Sequence, residues 1–141
     1  MEIHHLSADN SVLNRFLAEI RDVSIHGDSM RFRRNIERIG EVMAYELSRQ
    51  LHYRDTEIQT PLGLKKSTEI SDPLVICSIL RAGLPLHTGF LNVFDGAENG
   101  FVSAYRHHPN NDDYFDIKVE CQAIANIDGK TLVLVDPMLA T

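Results

Sequence analysis

A chain of 141 residues fits the roughly 100–200 residues of one domain, so two independent cores are excluded. Its 14 basic and 20 acidic residues give a net charge of −6, which argues against a nucleic-acid binder driven by phosphate neutralisation; any anionic ligand must be met locally. With 43% hydrophobic and 24% charged residues, the composition is that of a chain with a buried core, not of a disordered or collagen-like one.

Two cysteines, Cys77 and Cys121, have no CxxC or CxxH spacing near either, so neither a zinc knot nor a disulfide framework is supported and a reducing cytoplasm is expected. The longest nearly apolar run, Pro73 to Leu80, is far too short to cross a bilayer, and Met1-Glu-Ile-His-His lacks the regions of a signal peptide. No membrane and no nucleic acid are expected as partners.

Past the cap signals of Ala8-Asp9-Asn10-Ser11, the apolar residues Val12, Leu13, Phe16, Leu17 and Ile20 recur at helical spacing and predict a short amphipathic helix. His26-Gly27-Asp28-Ser29 breaks that pattern and caps a second helix of about five turns, in which Phe32, Ile36, Ile39, Met43, Leu47 and Leu51 keep a 3–4 residue rhythm. Its outer face carries Arg31, Arg33, Arg34, Glu37, Arg38 and Glu41. Such a face can bind an anion but is more often a solvated surface with i,i+4 pairing.

From Arg54 to Ile70 the sequence reads as a β-hairpin, with Pro and Gly of Thr60-Pro-Leu-Gly63 placed for a type I turn. Leu74-Val-Ile-Cys-Ser-Ile-Leu80 predicts a central strand buried on both faces. Arg81-Ala-Gly83 follows, and a helix from Leu84 to about Phe94 tolerates Pro85 in its first turn and ends at Asp95-Gly96. Phe101–Tyr105 predicts a second strand, Phe115–Cys121 a half-exposed or edge strand, and Thr131–Val135 a third, fully buried one. The order is that of an α/β sheet, which places ligands beyond the carboxyl ends of its strands.

Three such ends carry chemistry. Arg81 can fork onto an oxyanion while Gly83 lets backbone come close. Arg106 stands at the root of the polar stretch His107-His-Pro-Asn-Asn-Asp-Asp113 and can close over a charged ligand, although composition alone equally suits a surface excursion. The His107-His108 pair lacks further ligands at metal-site spacing. Asp136 is delivered to the sheet edge, where Pro137 stops the strand; its carboxylate suits sugar hydroxyls or a hydrated magnesium ion. Ala140 and Thr141 reach the point where backbone amides would begin to cradle a phosphate.

Val133-Leu-Val-Asp-Pro-Met-Leu-Ala-Thr141 resembles the phosphoribosyl diphosphate motif of the uracil phosphoribosyltransferases, Ser78-Ile-Leu-Arg-Ala-Gly-Leu84 resembles their Ile-Leu-Arg-Ala-Gly-Leu loop, and Ala104-Tyr-Arg106 their Tyr-Arg step. Met43-Ala-Tyr-Glu46 and Glu57-Ile-Gln-Thr-Pro-Leu-Gly63 fall in the family's order. The likeness covers about residues 29–141. It departs after Arg106, where the family commonly has Asp-Glu-Glu-Thr-Leu-Glu-Pro, and the family's uracil-reading segment and phosphate-loop glycines are not found here. The resemblance implies a type I phosphoribosyltransferase-like α/β fold: a parallel sheet core with flanking helices and a hairpin arm, incomplete at the C-terminus. Its expected parts are a helical segment over 1–52, the arm over 53–70, and the first part of the core over 71–141.

It further implies transfer of a 5-phosphoribosyl group from phosphoribosyl diphosphate to uracil, giving UMP and diphosphate, with Mg2+ carried on the donor. A chain of this extent is expected to be inactive alone. Arg81, Ala82 and Gly83 would hold the diphosphate, Arg106 would close over it, and Asp136 would address the ribose. Pro137, Met138, Leu139, Ala140 and Thr141 would open the 5′-phosphate loop. Family membership also implies a homodimer or tetramer, with GTP as a possible effector near Arg31, Arg33 and Arg34. Two other classes are a non-catalytic regulator of the same fold binding a nucleotide, and a receiver-like domain phosphorylated on Asp136. The second lacks its acidic pair and lysine.

Overall fold

The computed structural model of the chain describes residues 2–107 and 116–138; within them the side chains of 105–107, 116 and 121 are outside the description. The polar stretch after His107, and Leu139, Ala140 and Thr141, therefore lie outside the described residues.

Two helices come first, α1 over Val12–Arg21 and α2 over Ser29–Ser48. The Asp28 carboxylate caps α2 as its sequence predicts, accepting hydrogen bonds from the backbone N–H groups of Met30 at 3.1 Å and Arg31 at 3.0 Å. The hairpin pairs β1, Tyr53–Thr60, with β2, Gly63–Ile70, through the two-residue link Pro61-Leu62. Gly63 has φ +131°, a conformation closed to side chains, and this fixes a glycine at the turn's exit. The base of the hairpin is tied to the next strand by Asp72, whose carboxylate accepts from the His52 backbone N–H at 2.6 Å and lies 3.0 Å from its ring Nδ1.

The main sheet has the order β5-β4-β3-β6, with β3 over Leu74–Leu80, β4 over Glu98–His107, β5 over Asp116–Ile124 and β6 over Thr131–Val135. β3 lies parallel to both β4 and β6, while β5 returns antiparallel to β4. As expected for a central strand, Leu74 to Ser78 are all buried. Helix α3, Leu84–Leu91, crosses back over the sheet from β3 toward β4. One core forms where Leu74, Ile76 and Val135 of the sheet meet Leu86 and Phe90 of α3 and Ile36, Ile39 and Ala44 of α2, with Leu13 of α1 closing it.

Three expectations are corrected. β6 is not fully buried: only Val135 is, whereas Leu132 and Leu134 are 42% and 59% exposed. An apolar run shows that a strand can be covered, but β6 borders the described sheet and its alternate residues point to the open side. α3 ends at Leu91 rather than near Phe94, and the chain continues in turns in which the Phe94 N–H still reaches the Phe90 carbonyl. β4 is twice as long as expected, because Asn99 and Gly100 pair with β3 and Ala104 to His107 pair with β5.

α2 and α3 touch backbone to backbone. A Cβ on Gly89 would lie 2.1 Å from the Glu37 carbonyl oxygen, and one on Gly40 would lie 2.6 Å from that of Leu86. Asn92, just past α3, donates to Glu37 at 3.0 Å and Glu41 at 2.8 Å and locks the end of the same contact.

Alanine normally favours a helix over glycine by up to about 1 kcal/mol, so Gly89→Ala and Gly40→Ala separate propensity from packing. Each is expected to lose about 1–3 kcal/mol in urea unfolding through overpacking, while Gly96→Ala, with nothing within 4 Å, changes little. Equal stability for all three variants would contradict the contact. The His52 backbone N–H and ring hold the Asp72 carboxyl below its usual 3.8. A carboxyl pKa lowered by folding adds stability above the unfolded value and loses it as pH falls. The gap in Tm between wild type and Asp72→Asn should therefore stay steady down to about pH 5 and narrow as pH falls below about 4; a constant gap would show that the clip does not titrate.

Candidate active site

Parallel pairing of β3 with β6, in register from Leu74↔Thr131 to Ser78↔Val135, brings two of the expected segments to one edge of the sheet. Arg81, Ala82 and Gly83 leave the end of β3, and Asp136, Pro137 and Met138 leave the end of β6. All of these but Gly83 line a cleft of about 820 Å³ whose far wall is built by α1 and α2. The cleft lies within the roughly 300–1,000 Å³ usual for small-molecule sites.

The two loops are joined beneath the surface. Gly83 caps α3 with φ −70°, so its backbone alone does not demand glycine. A Cβ there would meet Ser78 Oγ at 2.3 Å, the Ile79 carbonyl at 2.8 Å and the Val135 carbonyl at 3.0 Å. Glycine is required because the Arg81 loop is pressed onto the ends of both strands, a reason different from close approach to a ligand. Ser78 is completely buried, and its hydroxyl has no hydrogen-bond partner among the described residues. The loop itself is held by Gly83 N–H to the Ile79 carbonyl at 3.0 Å and Leu84 N–H to the Arg81 carbonyl at 3.3 Å, with a cis peptide between Leu80 and Arg81. On the β6 side the Met138 N–H points to Asp136 Oδ1 at 3.4 Å, and the carboxylate is exposed.

Arg106 is the second-last residue of β4, and the loop expected beyond it lies outside the described residues. It lies within β4, where its backbone pairs with Ile117 of β5. β3 and β4 pair only as far as Leu80↔Ser103, so Arg106 stands three residues beyond, about 10 Å farther along the strand. There β4 and β5 form a two-stranded ribbon after a register shift at Ser103/Ala104. Its side chain is outside the description.

The three arginines expected at the start of the long helix separate. Arg31 lies 3.7 Å from both Glu19 and Asp28, and Arg34 pairs with Glu37. The Arg34 guanidinium holds the Glu37 carboxyl below its ordinary value. Arg33 has no ion pair among the described residues and lines the cleft opposite Arg81. Arg21 of α1, which no motif in the sequence singles out, lines it as well. Among the described residues no group of three or more His, Cys, Asp or Glu side chains could cage a metal ion. No described helix is long and apolar enough to cross a membrane.

The sequence profile described as uracil phosphoribosyltransferase matches residues 7–141. A curated uracil phosphoribosyltransferase of Porphyromonas gingivalis is 52% identical over 141 residues, which are all of this chain and 65% of that protein. One of Methanothermobacter thermautotrophicus is 39% identical over 135 residues, 94% of this chain and 60% of its own length. A solved structure of a protein from Aquifex aeolicus superposes with a TM-score of 0.78 at 25% identity, covering 94% of this chain and 62% of the other. The chain spans less than two thirds of the length of each of these relatives.

The joint under the two loops yields a coupling test. Ser78→Ala removes a buried hydroxyl without a partner and should be neutral or stabilising, because such a group costs about 1–3 kcal/mol. Gly83→Ala should destabilise. In the double variant the closest clash is gone, so its stability should exceed the sum of the single effects by about 0.5 kcal/mol or more in a double-mutant cycle; strict additivity would contradict the contact.

Proposed function

The chain belongs to the uracil phosphoribosyltransferase family, and from that membership we propose that it binds phosphoribosyl diphosphate and serves transfer of its 5-phosphoribosyl group to uracil, giving UMP and diphosphate. The observation that supports this reading most directly is the convergence of the Arg81 loop and the Asp136 loop on one cleft at the carboxyl edge of parallel strands. Arg81, with the backbone of Ala82 and Gly83, holds the leaving diphosphate, where negative charge builds as the glycosidic bond breaks. Asp136 accepts hydrogen bonds from the ribose hydroxyls and, as an anion near the ring, stabilises the positive charge that develops there. Pro137 and Met138 lead into Leu139, Ala140 and Thr141, which begin the 5′-phosphate loop. Arg106 closes on the diphosphate from the β4–β5 ribbon.

The donor set fits Mg2+ carried on the substrate better than a protein cage: one exposed strand-end carboxylate, Asp136, with no described cluster of three ligands around it. When bound, the ion neutralises charge on the diphosphate oxygens. Residues that would read uracil are not assigned. Self-association is part of the proposal, supported by Leu62 and Leu64, which stand 101% and 72% exposed on the hairpin arm. A cytoplasmic setting is also part of it. An effector GTP finds less support, since Arg31 and Arg34 are already held by acids and leave Arg33 alone for that role. A non-catalytic nucleotide binder of the same fold would leave the donor's diphosphate intact.

In the intact protein, Arg81→Ala should weaken binding of Mg2+–phosphoribosyl diphosphate by about 2–5 kcal/mol in calorimetry, and Asp136→Asn should lower the rate of UMP formation more than it lowers donor affinity. Donor binding unchanged by Arg81→Ala would overturn the assignment. Donor binding without any diphosphate release in the presence of uracil would favour the non-catalytic binder.

A further inference from the structure

Nine of the ten arginines have described side chains, and six of these are engaged. Arg15 and Arg31 meet Glu19, Arg34 meets Glu37, Arg49 meets Glu46 and Arg54 meets Glu69. Arg38 donates to Asn35 Oδ1 at 3.1 Å and lies over the Phe16 ring. The other three, Arg21, Arg33 and Arg81, have no partner among the described residues. All three line the same cleft.

These three are exposed, yet they converge on one concavity instead of pairing as the others do. Acids outnumber bases by 20 to 14 in this chain, so a surface arginine readily finds a carboxylate, as five of the six others do. Among the described residues the only carboxylate lining the cleft is Asp136, and it makes no ion pair with any of the three. Three like charges around one concavity repel each other, and no ion pair among the described residues offsets them. An arrangement of this kind is relieved by a multiply charged anion.

We propose that Arg21 of α1 and Arg33 of α2 are substrate-binding residues that grip the phosphate oxygens of the donor from the helical wall, opposite Arg81. The inference rests on the donor reading of the Arg81 loop and extends the site to a helical layer in which the motifs at the strand ends have no part. The class of ligand is a polyphosphorylated sugar or diphosphate itself. Guanidinium forks suit both, since each phosphoryl group offers paired oxygens. Arg33 is thereby assigned to the substrate cleft.

The test measures binding of Mg2+–phosphoribosyl diphosphate and of inorganic diphosphate to the intact protein at fixed ionic strength. Arg33→Gln, Arg21→Gln and their double variant are compared with Arg81→Gln and with Arg54→Gln, a paired arginine on the hairpin. Thermal melts accompany each variant. Loss of one charge-assisted contact should weaken both probes about tenfold in each single variant and more in the double, with Tm unchanged and Arg54→Gln like wild type; Arg33→Lys should recover part of the loss. If Arg81→Gln weakens binding while Arg33→Gln and Arg21→Gln stay within twofold of wild type, the inference fails and the donor reading stands. If all three bind both probes like wild type, the donor reading fails with it. Loss of GTP binding in Arg33→Gln with donor binding retained would overturn the inference in favour of an effector site.

Discussion

The contact of Gly40 with Gly89 sets the dimensions of the molecule. Two helices can approach to backbone contact only where neither carries a side chain, and here the nearest backbone atoms leave no room for even a methyl group. The consequence reaches the cleft through covalent connection. α3 begins directly after Arg81-Ala-Gly83, so the position of α3 fixes that loop, while Phe32, Arg33 and Ile36 belong to α2. The distance between the two walls of the site is therefore set by a glycine pair that lines neither. Asn92, bridging Glu37 and Glu41, prevents the helices from sliding along that contact.

A second constraint works at right angles to the first. Ser78, Gly83 and Val135 meet under the floor of the site, and that meeting ties the end of β3 to the end of β6. Packing this tight leaves a serine hydroxyl without a partner among the described residues, a cost that structures tolerate chiefly near functional positions. His87 is a parallel case one turn into α3: its Nε2 lies 2.7 Å from Asn99 Oδ1 and its ring stacks obliquely on Phe101, while Nδ1 is buried with no partner among the described residues. Through it α3 is also fastened to β4, the strand that carries Arg106. The ends of β3 and β6 are thus held to the loop that leads into α3, and the first half of β4 to α3 itself.

Much of this was legible in the sequence, and the residues show why. Leu74 to Leu80 had to be a strand buried on both faces, because no other element of that length is so apolar. Asp28 had to cap a helix, given Phe32, Ile36 and Ile39 behind it. The ends of β3 and β6 were readable as ligand loops because an arginine before a glycine and an aspartate before a proline do not continue a buried strand. β6 was misjudged because Leu132 and Leu134 report capacity for burial, not position in the sheet. Arg21 carries no signal in the sequence, and nothing there separates Arg33 from Arg31 and Arg34, for a related reason: whether an arginine is neutralised depends on which acids the fold brings to it. Arg31, Arg33 and Arg34 are equivalent in composition and differ only in that Glu19, Asp28 and Glu37 reach two of them. The pairing of Gly40 with Gly89 is likewise a property of the folded chain alone.

The central claim is that one anion-binding cleft joins the helical wall to the strand ends. Arginine side-chain Nε–Hε resonances of the intact protein, followed by NMR while Mg2+–phosphoribosyl diphosphate is added, report on it directly. The account predicts that the signals of Arg21, Arg33 and Arg81 shift together along one binding isotherm, while those of Arg15, Arg34 and Arg54 stay in place. Shifts confined to Arg81, or spread evenly over paired and unpaired arginines alike, would contradict it.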